Sequence, residues 1–346
     1  MKVNIYSDKF SGTLSASEVL GIIKSVFKNS DIQAKFFPVT DGGEGSTEIF
    51  KHYNMPIYQT VMKKDFAGNW IPAESLSINN QIFFESASLI GVNNSILHPY
   101  ELNTSCLSQI IREVDVLGLG GSKTVDGGIG LLSSLGIDFY SDEELITDPK
   151  PKDFARISSV KILDSFTNLE MKVLTDTAIP LLGNNSAISA YGPQKGLNRK
   201  EITQTQEQLQ RIYELLATAL NITLDPYDKN TGAAGGLSFV FEKILGCKII
   251  SGAEFFLKET SLIHKIPRSP ITVVCEGKFD KTSLSGKVVG EILRHVSGDR
   301  YFLGGQYDYI DSNEFNGIYE CGPKGLLNPK EELKNVAGKL LEQISI

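Results

Sequence analysis

Both ends of the chain alternate short apolar strands, polar or glycine-rich loops and amphipathic helices, and this rhythm constrains the fold more than any other feature. Near the N-terminus, Ser15 and Glu18 form a capping-box pattern before apolar residues at helical spacing. Towards the C-terminus the pattern predicts a helix over 287–296, a strand over 301–304 and a closing helix over 330–344. Such alternation is typical of parallel sheets covered by helices.

The middle of the chain has a different pattern. Three apolar stretches between residues 57 and 88 are separated by turn residues, which predicts an antiparallel meander. We therefore expect an α/β fold of two α/β domains. One is a discontinuous, Rossmann- or flavodoxin-like three-layer domain over residues 1–60 and 265–346, and the other is an inserted α/β domain over 61–264. We also expect a helix near 101–113 and a surface excursion over 141–158.

Composition excludes several classes of protein. The 346 residues contain 34 Lys and Arg against 41 Asp and Glu, so a net charge of −7 gives no general attraction to nucleic acid or to anionic membranes. The four cysteines lie far apart, and no run approaches the ~18 apolar residues of a membrane span. We expect a cytoplasmic protein with a small-molecule substrate and no nucleic-acid or membrane partner, while a homodimer stays open.

Glycine is clustered along the chain: 18 of the 32 glycines fall in six short segments. Clustering of this kind predicts backbone brought close to a ligand. The longest segment, 118–130, follows a strand and precedes an apolar run, where bare amides could receive an anion. The simpler interpretation is a tight strand–helix turn. The residues of this segment that we predict to bind a cofactor are Gly120, Gly121, Ser122, Lys123, Asp126, Gly127 and Gly128.

Carboxylates recur beside small residues where strands end. In open α/β sheets, ligands bind at the carboxyl ends of the strands. Carboxylates placed there can hold Mg²⁺, orient a hydroxyl or take its proton, although each one alone could be a helix N-cap. Lys195 and Lys287, in small-residue loops, are candidate phosphate partners, and the simpler interpretation is that they are solvated. The carboxylates in question are Asp8, Asp41 with Glu44, Asp126, Asp176, and Glu276 with Asp280.

The sequence lacks the residue patterns that nucleophilic catalysis by serine or cysteine and the protein kinases require. The four histidines lie outside the glycine segments, and none pairs with a serine elbow or a cysteine nucleophile. The protein-kinase signature set is also absent from the sequence.

Taken together, these segments resemble the bacterial glycerate kinase family, whose members use ATP to phosphorylate the 2-hydroxyl of glycerate. The matching segments occur in family order and cover nearly the whole chain. The resemblance implies a two-domain α/β fold with the site in the interdomain cleft, and MgATP as phosphoryl donor. The segments that carry it are Ser7–Ala16, Thr40–Gly45, Gly120–Ser122 with Asp126–Gly128, Tyr191–Gly196, Gly232–Leu237, and Glu276-Gly277 with Asp280 and Ser285–Lys287.

Departures from the family pattern lie within the motifs. Where the family reads D-S-F-K-G, this chain has exchanged the two polar residues, so Lys9 and Ser11 have swapped places. Lys123 adds a cation to the glycine segment, and Ile179 replaces a polar asparagine. Because the strand-end carboxylates are kept, the pattern favours a kinase with altered acceptor recognition. A binding protein without turnover is the rival hypothesis.

The resemblance and the motifs together assign the predicted roles, with ATP and Mg²⁺ as cofactors. Which carboxylate acts as base and which binds metal stays open, as does the choice of acceptor. The predicted catalytic residues are Asp176, Asp280 and Lys9. The predicted cofactor-binding residues are those of the glycine segment with Lys195 and Lys287. The predicted substrate-binding residues are Asp8, Ser11, Asp41 and Glu44, and the predicted metal ligands are Glu276 and Asp280.

Overall fold

The computed structural model describes residues 1–92, 96–266, 270–284, 286–308 and 314–345. Ser285, part of one family motif, lies outside the described residues. The chain divides into two compact units. Unit 1 comprises Met1–Asp41, Glu48–Asn54 and Ser251–Ile346, and unit 2 comprises Gly42–Thr47 and Met55–Ile250. Whether these units are domains with the expected bounds stays a prediction.

The strands are numbered in chain order. They are β1 (Lys2–Ser7), β2 (Gln33–Pro38), β3 (Ile57–Lys64), β4 (Trp70–Ile78), β5 (Gln81–Glu85), β6 (Val116–Gly118), β7 (Ile137–Ser141), β8 (Glu144–Leu145), β9 (Ser159–Ile162), β10 (Lys172–Leu174), β11 (Lys248–Ile250), β12 (Ile271–Phe279), β13 (Asp299–Tyr307) and β14 (Gly317–Glu320).

The α-helices follow the same numbering. They are α1 (Ala16–Phe27), α2 (Ser46–His52), α3 (Ala87–Ile90), α4 (Ile129–Ser134), α5 (Ala187–Lys195), α6 (Arg199–Leu220), α7 (Leu237–Phe239), α8 (Gly252–Glu259), α9 (Leu262–Lys265), α10 (Val288–His295), α11 (Lys324–Leu327) and α12 (Pro329–Ile344). Short 3₁₀ turns cover Pro99–Glu101, Ser105–Gln109, Pro151–Arg156 and Ala233–Gly236, and a π turn covers Val240–Ile244.

Unit 1 is built on a parallel sheet. Among its described residues, the strand order is β14-β13-β12-β1-β2, and every neighbouring pair is parallel. The capping box of Ser15 and Glu18 starts α1, which packs with α12 over β1, β12 and β13 in one apolar core. The chain runs outward from β1 to β2 on one side and from β12 to β14 on the other. The direction of winding therefore reverses between β1 and β12, which is the position where open α/β sheets bind ligands.

Unit 2 contains a mixed sheet with the order β11-β10-β6-β5-β4-β3 in its described part. Strands β3, β4 and β5 pair antiparallel, as the meander pattern predicts, while β5, β6, β10 and β11 pair parallel. A second, antiparallel sheet has the order β8-β7-β9. The fold class is α/β, as expected from the sequence.

The helix expected near 101–113 is wrong. Apolar residues there recur at helical spacing, but the segment forms two short 3₁₀ turns. Asn103 Oδ1 accepts from the backbone N–H (3.1 Å) and the hydroxyl (2.8 Å) of Ser105, and the Thr104 N–H donates to Asp126 (2.9 Å). These polar side chains offer the backbone bonds that compete with a helix.

The surface excursion expected over 141–158 is also wrong. Most of its charged residues are exposed, but Phe154 and Ile157 are fully buried. Arg211 of α6 donates to the backbone carbonyls of both residues, which fixes the segment against that helix. None of the described helices has the length and apolar character needed to cross a membrane.

Candidate active site

A cavity of about 630 Å³ opens at the carboxyl ends of the parallel strands in unit 1. Asp8 directly follows β1, and Glu276 lies near the end of β12, so the two carboxylates flank the point where the winding reverses. The structure thus brings together many of the predicted site residues. Those lining the cavity are Asp8, Lys9, Ser11, Asp41, Glu276 and Lys287.

Asp8 is a strongly perturbed acid of this cavity. Its backbone N–H donates to the Cys275 carbonyl at 3.0 Å, and its Oδ1 accepts from the Lys9 backbone N–H at 2.7 Å. Burial, together with the negative charges of Asp41 and Glu276, raises the pKa of Asp8 to about 8. A carboxyl group with such a pKa can take or release a proton near neutral pH.

Glu276 and Lys287 form an ion pair at the same place. Lys287 Nζ donates to Glu276 Oε1 at 2.8 Å. Burial raises the pKa of Glu276 in spite of this pairing, and the Glu276 carboxylate raises the pKa of Lys287 although burial opposes it. The second oxygen, Glu276 Oε2, is buried and has no hydrogen-bond partner within the described part of the chain.

Asp280 lies in the turn that follows β12. Its Oδ1 accepts from the backbone N–H (2.8 Å) and the hydroxyl (2.6 Å) of Thr282. Burial acts to raise the pKa of Asp280, but these hydrogen bonds and the charges of Lys287 and Lys278 bring that pKa below its ordinary value. Asp280 is therefore ionised at neutral pH, and it also stabilises the turn.

The exchanged residues Lys9 and Ser11 both line the cavity. Lys9 is half-buried and Ser11 is exposed. The charge of Lys9 acts to lower the pKa of Asp8. The exchange therefore places a cation directly beside a buried acid and leaves a small hydroxyl at the other position.

The glycine segment of unit 2 packs against other backbone. A Cβ added at Gly118 would lie 2.0 Å from the Gly42 carbonyl oxygen, and one at Gly120 would lie 3.0 Å from the Cα of Gly43. A Cβ on Gly235 would lie 2.2 Å from the carbonyl oxygen of Thr124. These glycines are required because loops of the same unit approach one another closely.

Many amides of this segment are used inside unit 2. The buried Asp126 carboxylate accepts from the N–H groups of Gly128 (3.4 Å) and Gly130 (3.1 Å), and from the Thr104 hydroxyl at 2.7 Å. The Gly127 N–H donates to the carbonyl of Gly235. Although burial raises the pKa of Asp126, these bonds oppose the rise. The structure thus gives Asp126 a fold-stabilising position, and its predicted role toward a cofactor stays a prediction.

Ser122 and Lys123 differ in their surroundings. The Ser122 hydroxyl is buried, lies 2.6 Å from the Thr124 hydroxyl and accepts from the Thr124 N–H at 3.0 Å. Lys123 is half-buried, and its backbone N–H donates to Ile90. Of the two side chains, that of Lys123 is the more accessible to a ligand.

Lys195 is placed by a helix rather than by the turn that its Gly-Pro sequence predicts. It is the last residue of α5, which contains Pro193 and ends at Gly196 in the left-handed conformation. Its Nζ donates to the Thr124 carbonyl at 2.8 Å, and burial lowers the pKa of Lys195 to about 8. The side chain thus ties α5 to the glycine segment.

Asp176 and Glu44 also belong to unit 2. Asp176 is half-buried in the loop after β10, and Glu44 is half-buried beside Gly121. Sequence reasoning missed Glu85, whose carboxylate accepts from the N–H groups of Gly45 and Thr47, both at 2.8 Å. Its position at the end of β5 was the available signal.

Several cavity residues of unit 1 were also missed. They lie within the last residues of β12, β13 and β14 or in the segments that follow β13 and β14, so strand ends were again the signal. Within the residues that the structure describes, no group of three or more His, Cys, Asp or Glu side chains is arranged to hold a metal ion. The missed residues include Lys278, Gln306, Asp308, Glu320 and Leu326.

Comparison with known proteins decides the family. The model of the glycerate kinase family matches residues 3–305. The chain belongs to the glycerate kinase family. A glycerate kinase of Neisseria meningitidis serogroup B is 27% identical over 83% of this chain and 80% of its own length. A glycerate 2-kinase of Escherichia coli K12 is 27% identical with the same coverage.

A solved structure supports the fold of this family member. It is that of a protein assigned as glycerate kinase 2 from Salmonella typhimurium LT2, with a TM-score of 0.67 and 23% identity, over 100% of this chain and 98% of that chain. Because the chain belongs to the glycerate kinase family, the protein is a kinase.

Proposed function

We propose that this kinase transfers the terminal phosphoryl group of ATP to a hydroxyl of a small hydroxy acid, with glycerate as the first candidate. The cluster of Asp8, Glu276 and Lys287 around one cavity carries the proposal. It combines acids and a cation at the point where an α/β sheet of this topology binds ligands. Family membership supports the class of reaction.

The transfer is a direct in-line displacement. The acceptor hydroxyl oxygen attacks the γ-phosphorus, its proton passes to a carboxylate, and ADP leaves with the electrons of the broken P–O bond. We assign Asp176 to the acceptor hydroxyl. Lys9 and Lys287 supply positive charge to the phosphates or to the acceptor carboxylate, since lysine is a common point-charge partner for both.

The residues present fit a magnesium ion. Glu276 Oε2 is a buried carboxylate oxygen without a partner among the described residues, and Asp280 has a lowered pKa, so both can serve as anionic ligands. Mg²⁺ needs only one or two carboxylates when phosphates and water complete its shell. When bound, the ion would neutralise charge on the phosphates.

Two other functions remain in competition. A kinase of another small polyol or hydroxy acid is favoured by the exchange of Lys9 and Ser11, because both line the cavity. A binding protein without turnover would keep the cavity and lose the transfer.

An ADP-release assay with a panel of hydroxy acids and polyols distinguishes these functions. We expect ADP release that depends on glycerate and on added Mg²⁺. Faster release with another acceptor would replace glycerate and keep the kinase. Saturable acceptor binding with no ADP above background would favour the binding protein.

A further inference from the structure

Part of the lining of the unit 1 cavity is apolar. It is formed by α11 and its flanks, where Pro323, Leu326 and Pro329 line the cavity. Leu326 is 76% exposed, and its neighbour Leu327 is 82% exposed. Apolar lining residues beside a few charged groups are typical of small-molecule and cofactor sites.

The cavity is larger than a three-carbon acid requires. Its volume of about 630 Å³ lies within the range of ~300–1,000 Å³ that suits drug-sized ligands. Its lining residues come from the ends of β1, β12, β13 and β14, and β1 and β14 are three strand spacings of ~4.8 Å apart, or about 14 Å. This length matches a nucleoside triphosphate whose base and terminal phosphate lie at opposite ends.

The chemistry of the lining changes along this length. Lys9 and Lys287 lie at the β1–β12 end, where anionic phosphates would bind. On the β14 side of the lining, Glu320 is the last residue of β14, and its Oε2 accepts from the Tyr307 N–H at 2.9 Å. A carboxylate at this position can accept hydrogen bonds from ribose hydroxyls.

We infer that unit 1 binds the whole nucleotide, with the purine base against Leu326 and its flanking prolines, the ribose near Glu320, and the phosphates at Lys9 and Lys287. The inference rests on the proposed function, because it names where the ATP of that reaction binds. In this arrangement, the segment between β14 and α12 recognises the base, while other residues bind the phosphoryl group that is transferred.

The test uses two exposed neighbours as a matched pair. Leu326 lines the cavity, and Leu327 is not among its lining residues. ADP binding to the full chain is measured by calorimetry for wild type, Leu326→Ser and Leu327→Ser. We expect Leu326→Ser to weaken ADP binding about tenfold, since it removes apolar contact worth that factor. We expect Leu327→Ser to stay within about twofold of wild type.

A second ligand separates the base from the phosphates. Inorganic tripolyphosphate carries the anionic part alone, so its affinity should be the same in wild type and Leu326→Ser. Equal ADP binding by Leu326→Ser and wild type would overturn the inference, as would equal loss of tripolyphosphate and ADP affinity.

Wild-type ADP release with ATP and the acceptor panel is measured in parallel. If wild type turns over while Leu326→Ser binds ADP normally, the inference fails and the proposed function stands. If wild type neither binds ADP nor releases it, the proposed function itself fails.

Discussion

Two regions of this protein contain motifs that predict ligand binding, and they differ in how accessible those motifs are in the structure. In unit 1, charged side chains at the strand ends line an open cavity. In unit 2, the glycine segment after β6 is packed against neighbouring loops, and the buried Asp126 holds its amides. The first region presents side chains to a ligand, and the second uses much of its backbone to hold the unit together.

The two kinds of motif indicate different features of the structure. A cluster of glycines reports that something approaches the backbone closely, and in unit 2 the approaching group is another part of the chain: Gly42 at Gly118, and Thr124 at Gly235. A carboxylate after a parallel strand reports a position at the sheet edge. The second signal therefore predicts a site more directly than the first.

Removing one charge in unit 2, at Asp176, should have the strongest effect on turnover. Asp176→Asn is nearly isosteric and removes only the charge, so it should lower kcat ~10²–10⁴-fold with the fold intact, because a positioned general base is worth about that factor. Steady-state ADP release measures it. Asp164→Asn, at an exposed aspartate of the same unit, serves as control. Turnover of Asp176→Asn within about threefold of wild type would exclude Asp176 as the base.

The packing of the glycine segment can be tested by stability. Gly118→Ala should lower the free energy of unfolding by about 2–3 kcal/mol, because overpacking of a tight contact costs this much and the added Cβ would meet backbone at 2.0 Å. Gly338→Ala, in α12 with nothing within 4 Å of the added Cβ, should instead stabilise by ~0.5–1 kcal/mol. Urea unfolding gives both values. Equal stability of Gly118→Ala and wild type would show that the segment is not tightly packed.

Much of the architecture could be predicted from periodicity. Alternating strands and helices, the capping box at Ser15 and the meander all depend on neighbours in sequence. The helix expected near 101–113 failed because a contact with Asp126, 22 residues away, competes for the backbone of Thr104. Apolar spacing alone carries no information about such a distant polar partner.

The candidate site was predictable to the level of strand ends. Asp8, Asp41 and Glu276 line one cavity at one sheet edge because parallel strands share their direction, while their roles stay predictions. The position of Lys195 was not predictable, since its Nζ bonds the carbonyl of Thr124, 71 residues away. Pairwise contacts of this kind depend on how distant loops pack, which the pattern of one segment does not encode.

The exchange of Lys9 and Ser11 in the loop after β1 makes the role of Lys9 testable. If Lys9 has taken over the work of the family lysine, Lys9→Ala should raise KM for glycerate or ATP ~10- to 150-fold, since a charge-assisted hydrogen bond contributes about 1.5–3 kcal/mol. Ser11→Lys in the same background should then fail to restore the affinity. KM and kcat of wild type, Lys9→Ala and the double variant decide the matter. Wild-type constants in Lys9→Ala would mean that the lysine is solvated and does no work at the site.

The last prediction concerns the pH dependence of stability and the carboxyl group of Asp8, at the point where the winding of the unit 1 sheet reverses. The pKa of Asp8 is raised from 3.8 to about 8 in the folded protein, so the favourable contribution of its neutral form is complete below about pH 4 and is lost as the pH rises to about 8. Asp8→Asn removes the free-energy cost of burying the ionised carboxylate. The variant should therefore gain stability relative to wild type across this window, by at least about 1 kcal/mol at pH 8.

Asp280, whose pKa is lowered rather than raised, provides the control. The pKa of Asp280 is lowered, so its contribution is present at neutral pH and lost as the pH falls through its folded pKa. Asp280→Asn should accordingly be less stable than wild type at pH 7, and the difference should shrink in acid. Thermal unfolding from pH 3 to pH 8 measures both variants. If the stability of Asp8→Asn and of wild type changed with pH in parallel, Asp8 would be hydrated like a surface acid. The cavity of unit 1 would then differ from the packed glycine segment of unit 2 in its openness and not in its electrostatics.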